Sequence, residues 1–219
     1  MQIPAIIMAG GKSKRFDFDK IKVKYQEKSL LSIGGKYLIE YIIDALIASK
    51  NINRVIIAVS PHTPHTKSII TSKNQLIEII ETPGKGYHSD LLFIFKILKL
   101  GISMTVVADL PLIKPEIIDE IVEKYMLLKK PSLAVMTDFN FFCQHGIKPT
   151  IKFQSKNSQK NLVPIGINII DGQFIEQKEQ DQVIIVNNRR ELIYNINTVD
   201  DYFQVKKYFN KTRRNQNKN

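Results

Sequence analysis

Short apolar runs alternate with longer segments of helical period from the N-terminus to about residue 137, and this alternation limits the folds open to the chain. IPAIIM at 3–8, RVIIAV at 54–59, a third run at 77–80, a fourth at 103–108 and SLAVMT at 132–137 read as buried strands. Pro4 is tolerated only because it stands at the beginning of its strand. Between the strands, residues 37–49, 64–72, 90–100 and 115–128 read as helices. Pro115 suits a first helical turn and Glu116 suits its positive end. The pattern predicts a single α/β domain with a mostly parallel sheet and helices on both faces. Ligands of such sheets bind beyond the carboxyl ends of the strands, so chemistry is sought in the loops that follow them.

The rhythm breaks between 138 and 163, where aromatics, bases and a polar stretch are mixed. An excursion over a site, or a contact with a second copy, is expected there. VPIGINII at 163–170 resumes a strand, and VIIVNN (183–188) and ELIYNI (191–196) read as extended pieces. The last helix is expected near Asn197-Thr198, where Thr198 and Asp201 have capping-box spacing. One domain is expected over 1–209, followed by a disordered basic tail at 210–219.

A chain of 219 residues that is 43% hydrophobic can bury one sizeable core. Lys and Arg number 32 against 21 Asp and Glu, a net charge of +11 that favours phosphorylated partners. Nucleic acid is not expected, because helix-turn-helix, RRM and zinc-finger signatures are absent. The single cysteine, Cys143, excludes an intramolecular disulfide framework and a cysteine-rich metal site. It is expected as a small core hydrophobe. No run reaches membrane-spanning length and no signal-peptide pattern occurs, so a cytoplasmic protein without membrane insertion is expected.

Five loops hold the candidate chemistry. Ala9-Gly10-Gly11-Lys12-Ser13-Lys14-Arg15 follows the first strand. Its glycines can turn backbone N–H groups toward an anion, and the Arg15 fork suits phosphate oxygens. A solvated surface turn is the plainer reading. Neither G-x-x-x-x-G-K-[ST] nor G-x-G-x-x-G is present. Asp109, at the end of SMTVVAD, can hold Mg²⁺ against phosphates or serve as a turn residue. TPGKGY at 82–87 can bring the backbone of Gly84, Lys85 and Gly86, beside Thr82, close to a flat base. Lys85 can instead reach a phosphate, and Tyr87 can cap the site or pack. Asn195 and Asn197 alternate onto one face of an extended segment, where an amide oxygen can ligate metal or accept from a sugar. SPHTPHTK at 60–67 carries His62 and His65, too few ligands for zinc. A turn with substrate-facing hydroxyls and Lys67 is expected there instead.

Together MAGGKSKRF, Lys28 within EKSLLSIGGKYLIEYIIDAL, VVADLPLI and NINTVDD resemble the nucleotidyltransferase superfamily of molybdenum-cofactor guanylyltransferases and sugar-nucleotide pyrophosphorylases. SPHTPHTKSII, TPGKGYHSDL, NLVPIGINII and YNINTVDDY give a closer resemblance to archaeal GTP:adenosylcobinamide-phosphate guanylyltransferases. The resemblance covers most of residues 3–205. It implies a Rossmann-like fold of the nucleotide-diphospho-sugar transferase kind and transfer of GMP from GTP to adenosylcobinamide phosphate, with Mg²⁺ as cofactor. It places the triphosphate at Ala9, Gly10, Gly11, Lys12 and Arg15, a phosphate contact at Lys28, the metal at Asp109 and the base at Thr82, Gly84, Lys85 and Gly86. One of Asn195 and Asn197 would lie near metal and phosphates. A homodimer is compatible with it.

The sequence departs from the family pattern at Ser13, where glycine is usual, and at Ser29, where proline usually follows the lysine. The stretch 16–27 is also longer than usual and is expected as a flexible lid. Three other readings stay open: transfer of another nucleotide or to molybdopterin or a small phosphorylated acceptor, a basic nucleic-acid-binding module, and a nucleotide sensor without turnover.

Overall fold

A computed structural model describes residues 1–73, 77–128, 130–149, 151–154, 160–177 and 181–216. The chain begins with strand β1 (Ile3–Met8), a loop, and a small hairpin of β2 (Ser32–Ile33) and β3 (Lys36–Tyr37) that leads into helix α1 (Leu38–Ala48). Then follow β4 (Ile52–Val59), α2 (Pro64–Lys73), β5 (Glu78–Glu81), α3 (Tyr87–Leu98), β6 (Ser103–Val107), α4 (Pro115–Leu128) and β7 (Ser132–Asp138). The later part holds α5 (Phe139–Gln144), β8 (Phe153–Gln154), β9 (Asn161–Ile170), β10 (Gln182–Val186), α6 (Arg190–Ile193) and α7 (Val199–Gln216).

The main sheet has the order β10-β7-β9-β6-β1-β4-β5, with β8 added alongside β9. Its pairs are parallel except those made by β9, which runs antiparallel to β6, β7 and β8. The mostly parallel single-domain α/β sheet read from the sequence is therefore the observed architecture. A strand buried on both faces must be apolar throughout, and β1 is. Ala5 and Ile7 join the core beneath Ile39, Ile42 and Leu46 of α1 and Ile117 and Ile121 of α4. Ile6 faces the other way, onto Leu91, Ile94 and Phe95 of α3. Helices thus cover both faces, and β1 sits in the middle with its carboxyl end pointing into the first glycine loop.

Several local expectations change. ELIYNI is not extended, because Arg190–Ile193 forms a helical turn that buries Leu192 and Ile193. The 138–163 excursion contains α5 and the β8 pairing with β9, while 150 and 155–159 lie outside the described residues. Cys143 is exposed, since α5 turns Phe142 inward instead. The stretch after the first loop is tied down rather than free to act as a lid. Phe16 is buried, and Phe18, Ile21 and Val23 pack beside it in a cluster with Tyr202 and Val205 of α7. The capping box at α7 forms as read: Thr198 N–H donates to Asp201 Oδ2 at 2.8 Å, and Asp201 N–H to Thr198 Oγ1 at 3.2 Å. Helix α7 extends through Gln216 and so takes in most of the expected tail, whose last residues 217–219 lie outside the described residues. Among the described residues no helix is long and apolar enough to cross a membrane.

Candidate active site

The carboxyl ends of β1, β4 and β6 open onto a cleft of about 480 Å³. Its floor is Met8, Ala58 and Val107, and the loop after β1 forms one wall. That loop is held down by Ala9 N–H donating to Ala58 O at 2.9 Å and by Ser60 Oγ–H donating to Gly10 O at 2.8 Å. The approach is close: a Cβ on residue 10 would sit 3.0 Å from Ser60 Cβ.

Ser13 has φ of +51°, in the left-handed region where a side chain is disfavoured. The loop keeps a glycine-type conformation even though serine occupies it, and Phe16 N–H closes the turn on Ser13 O at 2.9 Å. Ser13→Gly is therefore expected to stabilise the fold by about 0.5–1 kcal/mol, the relief of Cβ strain slightly offset by unfolded-chain entropy. Urea unfolding reads it as a higher midpoint at unchanged slope. A lower midpoint would mean that the serine side chain stabilises the turn.

The walls are cationic. Lys12, Lys14, Arg15, Lys28 and Lys85 all line the cleft. Among the described residues no carboxylate pairs with Lys12, Lys14 or Lys85. Two carboxylates also line the cleft: Asp90, which accepts from Lys85 N–H, and Asp109, just beyond β6 and only 6% exposed. Lys28 Nζ donates to Asp109 Oδ2, whereas Asp109 Oδ1 is buried and, among the described residues, has no hydrogen-bond partner. A buried, unsatisfied acceptor costs about 1–3 kcal/mol or more when charged, so a cation or donor from a ligand is the natural occupant of this position.

The two asparagines separate. Arg15 Nη2 donates to Asn197 Oδ1 at 2.8 Å, and Asn197 lines the cleft. Asn195 stands behind it, its Oδ1 accepting from Asn197 Nδ2 at 3.0 Å. Asn197 N–H is in turn held by Asp201 Oδ2 at 3.0 Å, which ties the pair to the start of α7. Ile196 N–H donates to Asp109 O at 3.1 Å, so the same segment braces the carboxylate.

The second glycine loop forms the far wall. Gly84 has φ of +69° and a Cβ there would sit 3.1 Å from the His62 ring, so only glycine fits the close approach. Thr82 Oγ1 donates to Val59 O at 3.0 Å, and Lys85 N–H donates to Asp90 Oδ1 at 3.1 Å. Tyr87 points down onto the sheet, its hydroxyl 3.0 Å from Thr105 Oγ1 and accepting from Asn168 Nδ2 at 3.1 Å. Burial pushes this phenol's pKa up, so it remains neutral.

The structure thus brings Ala9, Gly10, Gly11, Lys12, Arg15, Lys28, Thr82, Gly84, Lys85, Gly86, Asp109 and Asn197 to one cleft and leaves Asn195 behind it. Lys67 turns away from the site to pair with Glu81, contrary to the reading of the 60–67 turn. Thr63 does line the cleft, but its hydroxyl bonds to Ser60. His65 bonds to Glu27 rather than serving a metal with His62. Sequence reading missed Ser60 and Asp90, which hold the two glycine loops in shape. Asp90 had a usable signal, an acidic residue in the first turn of α3, although its hydrogen bond to Lys85 N–H had none.

Among the described residues no group of three His, Cys, Asp or Glu side chains is arranged to hold a metal. A single carboxylate with an unsatisfied oxygen nevertheless fits Mg²⁺, which is commonly held by one or two carboxylates together with substrate phosphates.

A doubly covered α/β sheet with a cationic glycine loop at its carboxyl edge and a facing aspartate defines a nucleotide-handling enzyme, and comparison with known proteins fixes the class. Residues 5–145 match the MobA-like NTP transferase domain, and the chain belongs to that family of nucleotidyltransferases. It is similar to an adenosylcobinamide-phosphate guanylyltransferase of Methanocaldococcus jannaschii, 37% identical over 207 residues that cover 90% of this chain and 92% of the relative. A probable molybdenum cofactor guanylyltransferase of Thermococcus kodakarensis is 26% identical over 209 residues, covering 89% and 90%. Among solved structures, a CMP:2-keto-3-deoxy-manno-octonic acid synthetase complexed with CTP superposes with a TM-score of 0.68 at 11% identity, covering 97% of this chain and 100% of that one. A 4-diphosphocytidyl-2C-methyl-D-erythritol synthase from Anaerococcus prevotii gives 0.65 at 14% identity, covering 95% and 98%. These likenesses establish the fold.

Proposed function

We propose that this chain transfers GMP from GTP to adenosylcobinamide phosphate, giving adenosylcobinamide-GDP and pyrophosphate. The observation that carries the transfer reaction is a cleft in which, among the described residues, Lys12, Lys14 and Lys85 have no carboxylate partner and Asp109 keeps one buried oxygen without a hydrogen-bond partner. The choice of base and acceptor is supported by the near full-length similarity to the adenosylcobinamide-phosphate guanylyltransferase.

In this reading an oxygen of the acceptor phosphate attacks the α-phosphorus of GTP. The new P–O bond forms as the bond between the α-phosphorus and its bridging oxygen to the β-phosphate breaks, and that oxygen leaves with pyrophosphate. The attacking phosphate is already anionic, so the protein need not remove a proton. Its work is alignment and charge neutralisation. Backbone N–H groups of Gly10 and Gly11, with Lys12 and Arg15, grip the triphosphate. Lys28 meets charge that builds on the departing pyrophosphate. Gly84, Lys85, Gly86 and Thr82 face the base. Asp109 would hold Mg²⁺, which supplies positive charge against the phosphate oxygens when bound. Tyr87 lines the same cleft, and the loop around His62 would form a wall for the acceptor.

A second acceptor deserves a test, because relatives named as probable molybdenum cofactor guanylyltransferases match as well. Purified protein is incubated with α-labelled GTP, Mg²⁺ and either adenosylcobinamide phosphate or molybdopterin, and products are identified by mass. Adenosylcobinamide-GDP is the expected product. A molybdopterin adduct alone would reassign the acceptor.

A further inference from the structure

We propose that Glu27 is a positioning residue that fixes Lys28 for phosphate binding. The proposal rests on the phosphate role assigned to Lys28 above, though not on the choice of base or acceptor.

Glu27 is 4% exposed, a buried carboxylate for which the reaction itself has no use. Both of its oxygens are fully engaged. Oε1 accepts from His65 N–H at 2.8 Å and from the His65 ring at Nδ1 at 2.8 Å. Oε2 accepts from Thr66 N–H at 2.8 Å and from Thr66 Oγ1–H at 2.5 Å. His65 and Thr66 are the second and third residues of α2, whose N–H groups a helix's own N-cap side chain normally satisfies. Thr63 stands at that N-cap place, but its hydroxyl is spent on Ser60. A carboxylate from 38 residues upstream does the capping instead. Negative charge there is also favoured by the helix dipole.

The consequence falls on the next residue. Lys28 opens a single helical turn, with Leu30 N–H donating to Glu27 O at 2.9 Å and Leu31 N–H to Lys28 O at 3.1 Å. On its other side, Ser29 Oγ lies 2.6 Å from Thr66 Oγ1. Both neighbours of Lys28 are thus anchored to the same helix end, and the backbone between them has little freedom. The lysine side chain leaves this clamp toward Asp109 and the cleft. A flexible lysine on a loose loop would lose entropy on each phosphate contact; a clamped one has less to lose. Where the family pattern has a proline after the lysine, this chain has Ser29 within the clamp.

The test is a double-mutant cycle on equilibrium binding of Mg²⁺-tripolyphosphate, with Mg²⁺-GTP in parallel. Lys28→Ala is expected to weaken tripolyphosphate binding about tenfold, and Glu27→Gln about fivefold in the native background. In the Lys28→Ala background, Glu27→Gln should change binding less than about twofold, because nothing remains to be positioned. An equal loss in both backgrounds, no loss in the native one, or no effect of Lys28→Ala would overturn the proposal and leave Glu27 as a helix cap only. Thr66→Val is a milder variant, removing only the hydroxyl between Glu27 and Ser29. It is expected to weaken binding about threefold with the same dependence on Lys28, and it decides the matter if Glu27→Gln fails to fold. Tripolyphosphate has neither base nor acceptor. GTP binding no tighter than tripolyphosphate would count against guanine recognition while leaving the cycle readable.

Discussion

Asp109→Asn is expected to lower turnover about 10²–10³-fold while changing nucleotide affinity by less than about threefold. The asparagine keeps the shape and one oxygen but removes the charge. On the proposed reading, grip on the nucleotide would be spread over the first glycine loop and several lysines, so binding is expected to survive. What is lost, on that reading, is the charge that would hold a cation beside the reacting phosphates. The native carboxylate has Oδ1 unpartnered and Oδ2 on Lys28, an arrangement that makes sense when an additional cation is bound. Single-turnover rates at saturating Mg²⁺ and saturating GTP check this. Equal rates for variant and wild type would remove Asp109 as a metal ligand.

Arg15→Ala is expected to cost about 10²-fold in kcat/KM, and Arg15→Lys to recover little of it. Arg15 is held by Asn197, which is held by Asn195 and by the start of α7, so the guanidinium is aimed before substrate arrives. Lysine carries the charge but lacks the planar fork needed to keep both Asn197 and a phosphate oxygen. Asn195→Ala, which removes only the outer support, is expected to cost about threefold to tenfold through the same arginine. Full activity of Arg15→Lys would show that charge alone suffices and that the asparagine chain is structural.

The local signals in the sequence were strong where one physical requirement dominated. The central strand had to be apolar on both faces, and IPAIIM is. The helix over 37–49 had to alternate toward a core, and Ile39, Ile42 and Leu46 do. That the first glycine loop would line a cleft was legible because two glycines and three bases follow a strand. Contacts between distant segments were not legible. Nothing in the local pattern distinguishes Asn197 from Asn195, because the choice is made by Arg15, 182 residues away. ELIYNI has enough β-branched residues to read as a strand, yet tertiary packing of Leu192 and Ile193 turns part of it into a helix. Glu27 sits in a charged stretch that suggests solvent, and only the folded chain shows a helix N-terminus waiting for it. Ser13 is the instructive case: the family pattern has glycine there, and the backbone adopts a left-handed conformation with a residue that does not favour it.

The central claim is acceptor-dependent guanylyl transfer. Its most direct measurement is pyrophosphate release by the wild-type chain with Mg²⁺ and each of the four NTPs in turn, with and without adenosylcobinamide phosphate. The account predicts release with GTP only when the corrinoid is present. Folded protein that releases no pyrophosphate with GTP and the corrinoid would contradict it.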